Sequence, residues 1–453
     1  MTQNSARPLL CDSLLCGPFV RRARQDAAYL WFVTRSDVAI SIQLKKDNGE
    51  SVAVFVEHEQ IRIGESCFVH LIQLTPASGT WPIAEHIGYQ LLFDHQVVDL
   101  TRLTLPGKAL PGFIVNERVG SVIQGSCRKP DHPSRDAFVG LAKQLREGEL
   151  ERPDYLLMAG DQVYVDDVAG PMLVAIQILS QALGLYSAYH SSGVIDKEQL
   201  TWQQSLNNRK ALLPNKEDQS RWQKFWYGQD IISSRYHDNH LIALDEMFAC
   251  YLLTWSSKCW ENIWPQVLAA GETLTGQAKT WYDKEVACLQ QFTEDLVDFE
   301  LVLANIPSLM IFDDHDVTDD WNLSADWEYH VYNNDTTKHM IRDAILAYAV
   351  FQGWGNDAKR MASIMEPLFA LSDKGDFASE EVTDALFEFN HWHYELDTQP
   401  NIVVLDTRTH RWRSETSLKN PSGLMDWERL EQLQHQLYEA NGSILVVSPA
   451  PVF

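Results

Sequence analysis

Basic residues are scarce in this chain: 37 lysines and arginines face 62 aspartates and glutamates over 453 residues, a formal net charge of −25. A field of that sign repels nucleic acid phosphates and anionic headgroups, which excludes a structural role on nucleic acid unless a local basic patch overrides it. Cysteine is sparse too. The seven are Cys11, Cys16, Cys67, Cys127, Cys250, Cys259 and Cys288, an odd number with no CxxC pair and no zinc-like spacing. That argues against a disulfide framework and for a reducing compartment. No run approaches the ~20 apolar residues that cross a bilayer. The N-terminus has neither a basic start nor a long apolar stretch, and Arg21-Arg22 is followed by Ala23-Arg24-Gln25-Asp26 where an export signal needs apolar residues. The expected location is the cytoplasm, with no membrane span. No internal repeat or low-complexity tract is evident.

What is present is a globular composition, 45% apolar and 22% charged with 15 Trp, 15 Tyr and 18 Phe, which excludes extended disorder. The length bounds the chain at two or three domains of roughly 150 residues. Residues 1 to about 110 read as short alternating segments, Ala28–Thr34, Val38–Leu44, Val52–Val56, Cys67–Leu74 and Gly88–Leu92, separated by turns such as Asp47-Asn48-Gly49. This spacing predicts a small β-sandwich over residues 1–115. A connector with Pro106-Gly107 and Pro111-Gly112 leads into a second domain, residues 116–453.

There, apolar runs stop abruptly at polar side chains: Val119–Gln124 before Gly-Ser-Cys-Arg, Tyr155–Ala159 before Gly-Asp, Ser308–Phe312 before Asp-Asp-His-Asp, Ile402–Leu405 before Asp-Thr-Arg, and Ile444–Val447 before Ser-Pro. Such runs between helical stretches predict strands buried on both faces, with ligands gathering at one sheet margin. The fold class is therefore α/β. Residues 169–305 read as a helical, Trp-rich insertion. The i,i+4 pairs Trp222/Trp226 and Trp260/Trp264 are read as core packing on one helix face.

Two segments carry chemistry. In Gly160-Asp161-Gln-Val-Tyr164-Val-Asp166-Asp167 a carboxylate follows a buried strand directly, where it can bridge hard cations or, equally, cap the next turn. In Asp313-Asp314-His315-Asp316-Val317-Thr318-Asp319-Asp320, five carboxylates crowd a histidine at another strand end. The mutual repulsion of that crowd is relieved by a cation. It is not an EF-hand, because counting from Asp314 the sixth position is Asp319 and the twelfth Ala325. A Cys-x5-Arg nucleophile loop from Cys127 fails, since Pro133 stands where Arg is needed. A haloacid dehalogenase-type Asp-x-Asp-x-Thr is met literally by Asp314-His315-Asp316-Val317-Thr318, but the remaining acidic segment lies before it in the chain instead of after.

Together, Gly125-Ser-Cys127-Arg128, Gly160-Asp161-Gln-Val-Tyr164, Phe312–Trp321 and Val404-Leu-Asp-Thr-Arg408 resemble the PhoD-like (alkaline phosphatase D) branch of the calcineurin-like metallophosphoesterases. The resemblance implies a metallophosphoesterase-type α/β sandwich behind the N-terminal β-domain, and hydrolysis of phosphate mono- or diesters by water activated at two or more metal ions, with Fe and Ca suggested. It further implies that Asp161 bridges two metals, that Cys127 and Tyr164 bind iron, and that Asp314, Asp319 and Asp320 hold the second position. His315 becomes the catalytic histidine, and Arg128 the residue that meets a substrate phosphate oxygen. The family's closing Gly-Asp-Val-His motif does not occur before Phe453. This departure leads to the expectation of a shortened family domain or incomplete metal ligation, and keeps a non-catalytic binding module as the alternative.

Overall fold

The computed structural model describes residues 12–187, 195–214, 231–232, 237–440 and 442–450. Among these, the N-terminal part forms two antiparallel sheets. One contains β1 (Leu14–Ala23), β2 (Ala28–Thr34), β5 (Val54–Gly64) and β6 (Cys67–Pro76) in the order β1-β2-β6-β5. The other contains β3 (Ile40–Lys46), β4 (Ser51–Val52), β7 (His86–Phe93) and β8 (Gln96–Val97), with β9 (Gly112–Ile114) paired to β7. The expected sandwich is present, although the run Val52–Val56 divides into the end of β4 and the start of β5. β1 is an addition to the sequence reading: Gly17-Pro18 and Arg21-Arg22 interrupt its apolar pattern, and register shifts between Cys16 and Phe19 absorb the interruption.

The β1-β2-β6 layer is buried on both faces. Along β2, Ala28, Leu30 and Phe32 enter the core between the two sheets, while Tyr29, Trp31 and Val33 enter the larger core shared with the rest of the chain, as the two-residue period of a strand requires. Phe19 packs on Trp31, Trp255 and Phe299 at ring distances of 5.7, 5.9 and 5.8 Å. The fully buried Arg21 locks this layer in place. Its guanidinium donates to Ser308 O (2.9 Å), Phe351 O (2.9 Å), Gln352 O (2.7 Å) and Asn356 Oδ1 (3.0 Å). Burial lowers its pKa to about 10, which leaves it a cation at neutral pH. The twin arginines, read above against an export signal, thus fasten β1 to the chain's second half.

That half holds two further sheets. β10 (Val122–Gly125), β11 (Tyr155–Ala159) and β12 (Ser308–Ile311) are parallel in that order. β14 (Asn401–Val404) pairs antiparallel with β13 (Tyr394–Leu396) and parallel with β15 (Ile444–Val447). The strand runs are where the sequence places them, in a mixed α/β architecture, but burial on both faces holds only for the inner ones. β11 and β12 are buried throughout, whereas the edge strands β10 and β15 are largely open to solvent.

Helices Gly170–Leu183, Leu244–Trp255, Trp264–Gly271 and Gly276–Leu303 occupy the insertion. Trp260 and Trp264 stack at 4.9 Å, yet they do not share a helix face: Trp260 closes the 3-10 turn Lys258–Trp260 and Trp264 opens the next helix. Trp222 and Trp226 lie outside the described residues. No helix among the described residues is long and apolar enough to cross a membrane.

Candidate metal centre

The chain leaves β11 through two left-handed residues, Gly160 (φ 93°) and Asp161 (φ 55°). A Cβ on Gly160 would lie 2.5 Å from Asp313 Cβ, so only glycine lets the ends of β11 and β12 close on each other. Asp161 has no such freedom, and its conformation is held from outside by Asp316. This fully buried carboxylate accepts from Asp161 N (2.7 Å), Gln162 N (3.2 Å), Val163 N (3.4 Å) and Asp313 N (2.9 Å). Beyond the helix Asp335–Tyr348 the chain widens into the turn Ala349–Gly353, and from there Gln352 Nε2 supplies Asp316 with a fifth donor at 2.8 Å. Local strain at a strand end is thus maintained by a dense set of charge-assisted hydrogen bonds.

Around this turn the structure brings together most of the residues singled out in the sequence. Cys127, itself left-handed (φ 60°), donates from N to Gly160 O (3.2 Å) and from Sγ to Asp161 Oδ2 (3.3 Å). Tyr164 reaches the Cys127 side chain, and its ring stacks on His315 at 4.6 Å and 28°. His315 N donates to Asp161 Oδ1 (3.3 Å), and its Nδ1 lies 3.0 and 2.9 Å from the two oxygens of the fully buried Asp166. Tying Nδ1 to a carboxylate fixes the ring, the arrangement that orients metal-binding and proton-donating histidines.

Asp161, Asp314 and His315 offer ligand atoms within 4.8 Å of one another, and so do Asp314, Asp319 and Asp320. Asp314 belongs to both groups, so these acidic and histidine side chains could hold a cation at either. An oxygen-rich donor set of this kind matches a hard cation.

Electrostatics follow the geometry. Burial, then Asp316 and Asp313, push the Asp161 carboxyl up to about 8. Burial would raise Asp166 as well, but His315 reverses the sign and holds it below the ordinary range. Burial works against the His315 cation, yet Asp166 and then Asp161 raise it to about 10. Burial also raises Cys127, Tyr164, Asp313 and Asp319.

Two residues differ from the sequence reading. Arg128 is not turned to the carboxylates. Its guanidinium is buried against Phe299 (4.0 Å to the ring centre), donates to Asp136 Oδ2 (2.6 Å) and Thr254 O (2.7 Å), and ties the insertion to the helix Ala137–Glu147. The arginine at the cluster is Arg408, from the loop after β14, which pairs with Asp313 and reaches Asp314 Oδ2 at 3.1 Å. The motif Asp-Thr-Arg408 was its signal, but Arg408 lies 95 residues from Asp313 and follows a strand of another sheet. Asp166 and Asp316 sat inside the quoted acidic segments, and spacing did not reveal that they turn inward. The burial of Asp316 also bears on the haloacid dehalogenase reading, which needs that residue beside the substrate as an acid.

No family model matches the chain, and no curated protein matches it in sequence. Among solved structures, an amylomaltase from Corynebacterium glutamicum aligns at 11% identity over 34% of this chain and 22% of that one, with a TM-score of 0.17, a likeness too slight to support an argument about fold or function.

Proposed function

We propose that this chain is a metal-dependent phosphoesterase of the metallophosphoesterase type, hydrolysing phosphate mono- or diesters. The observation that carries the reading is the convergence of Cys127, Asp161, Tyr164, Asp314, His315, Asp319 and Asp320 at the ends of β10, β11 and β12. Asp161 and Asp314 would hold one cation and Asp314, Asp319 and Asp320 a second, with Cys127 and Tyr164 flanking the first and His315 beside it. When bound, such cations neutralise an anionic ester and make water a better nucleophile at neutral pH.

The chain's own residues supply the rest. Asp166 holds the His315 ring in one orientation and favours its protonated form, so His315 is placed to deliver a proton to the departing alkoxide. Arg408 balances Asp313 and part of Asp314, which lowers the repulsion an incoming phosphate meets. Asp316 holds the Asp161 turn in register. In the overall reaction water adds its oxygen to phosphorus, the P–O bond to the organic group breaks, and the alkoxide leaves as an alcohol. The test is an assay of aryl phosphate monoesters and diesters with and without added Fe and Ca. Asp161→Asn is expected to lose cation binding and turnover together, and His315→Ala to lose about 10²–10⁴-fold in kcat. Full activity and cation content in Asp161→Asn would overturn the site.

A further inference from the structure

A cavity of about 560 Å³ lies between β10 and the helix Ala137–Glu147. Ile123, Leu156 and Met158 form one wall from a single face of the parallel sheet, and Phe138 and Leu141 face them from the helix. The helix is firmly set: Asp136 caps its start by accepting from Phe138 N, and Gly148 ends it in a left-handed turn (φ 69°). The cavity is therefore a built feature between two regular elements. Cys127 belongs to both its lining and the candidate centre, with Sγ 3.3 Å from Asp161 Oδ2. A chamber whose sheet-side wall is apolar and whose remaining lining carries polar residues such as Arg128 and Gln144 thus meets the carboxylate cluster at Cys127.

The volume lies within the ~300–1,000 Å³ typical of small-molecule sites, much more than a small alcohol fills, and the lining next to the sheet offers dispersion contacts instead of hydrogen bonds. We propose, resting on the phosphoesterase reading above, that this cavity receives the organic group of the ester and that the group is apolar and of ring size. The phosphate faces Asp161 and His315 while the group esterified to it extends past Cys127 between sheet and helix. When the P–O bond to that group breaks, the alkoxide oxygen takes a proton and the alcohol is left in the cavity.

Gly140 provides the test. It lies mid-helix on the cavity lining, and a Cβ there meets nothing within 4 Å. Gly140 is exposed, so Gly140→Trp sets a large ring at the cavity's open side without a backbone clash, and removing a helix glycine favours folding. The full chain, with Fe and Ca added, is compared in two ways: binding of 2-naphthyl phosphate by saturation-transfer NMR, and kcat/KM for 2-naphthyl phosphate relative to ethyl phosphate. The ratio between variants cancels the two esters' intrinsic reactivity. Gly140→Trp is expected to weaken 2-naphthyl phosphate binding and lower the ratio at least about tenfold, the scale of losing a buried ring contact. Gly140→Leu should give an intermediate value, and it carries the test should the tryptophan variant not fold. Unchanged binding and ratio in a folded variant overturn the cavity assignment alone. If the wild-type chain hydrolyses neither ester, the phosphoesterase reading falls and the assignment falls with it.

Discussion

Asp316→Asn alters almost no volume and should nevertheless dismantle the candidate centre. The Asp316 oxygens divide their donors: Oδ1 takes Gln162 N, Val163 N and Gln352 Nε2, and Oδ2 takes Asp161 N and Asp313 N. An asparagine must turn its NH2 toward one of these groups, so at least two donors lose an acceptor and confront another donor. Hydrogen bonds to a charged acceptor are worth about 1.5–3 kcal/mol each, which puts the loss at about 3–6 kcal/mol. The two donors lost at Oδ2 are those that hold the left-handed Asp161 and the start of the acidic loop, so the damage concentrates where a cation would bind. Urea unfolding measures the first effect and calorimetric titration with Ca²⁺ the second. A variant within about 0.5 kcal/mol of wild type, with unchanged Ca²⁺ affinity, would refute the claim that this carboxylate organises the turn.

Other consequences follow from single contacts. Gly160→Ala combines φ 93° with a Cβ 2.5 Å from Asp313 Cβ, and a loss of about 2–4 kcal/mol is expected by urea unfolding; a loss below about 0.5 kcal/mol contradicts the close approach of β11 and β12. Arg128→Met leaves Asp136 buried without its cation and should cost about 3–5 kcal/mol while Ca²⁺ affinity stays constant. A stable variant with a raised KM for the phosphate ester would instead return Arg128 to the substrate role read from the sequence. Acid should weaken the fold through His70 and His393, which burial depresses to about 3 and about 4. Both remain neutral in the folded chain while the unfolded chain takes up protons below about pH 6.5. Their contribution is therefore complete above that pH and declines by up to about 1.4 kcal/mol per pH unit for each histidine as pH falls toward 4. The raised carboxyl of Asp161 pulls the opposite way over the same range, so the check is a difference: by urea unfolding, the stability advantage of the wild type over His393→Gln should shrink from about pH 7 to pH 5, and a constant difference rules this out.

Strands whose apolar runs are unbroken could be read directly: Tyr155–Ala159 and Ile444–Val447 are β11 and β15 residue for residue. β1 was hidden because glycine, proline and paired arginines are tolerated only where a register shift and backbone acceptors from distant segments compensate, and neither is encoded locally. The same limit applies at the centre. Crowded carboxylates after Phe312 mark side chains that could hold a cation, but direction is set by three-dimensional partners. Asp314, Asp319 and Asp320 converge outward, Asp316 turns in to collect backbone N–H groups, and Asp313 is claimed by an arginine from another sheet. For Arg128, strand-end position pointed to substrate, whereas the aromatic rings of Phe292 and Phe299 and the carboxylate of Asp136 take its side chain.

The division of labour among these carboxylates is the strongest physical argument for a bound cation. Asp316 is satisfied by five N–H donors, Asp313 by Arg408 and Asp166 by His315. Among the described residues, Asp161 receives only the Cys127 thiol and the His315 backbone N–H, each at 3.3 Å, although it is 5% exposed and stands at a conformation that costs energy to hold. Burying a carboxylate with weak donors and like charges beside it is unfavourable by itself. Asp166 shows that the same segment can carry a buried carboxylate comfortably once a cation faces it. Asp161 would meet that condition with a cation held between it and Asp314, and the strained turn beneath it would then keep a ligand in place.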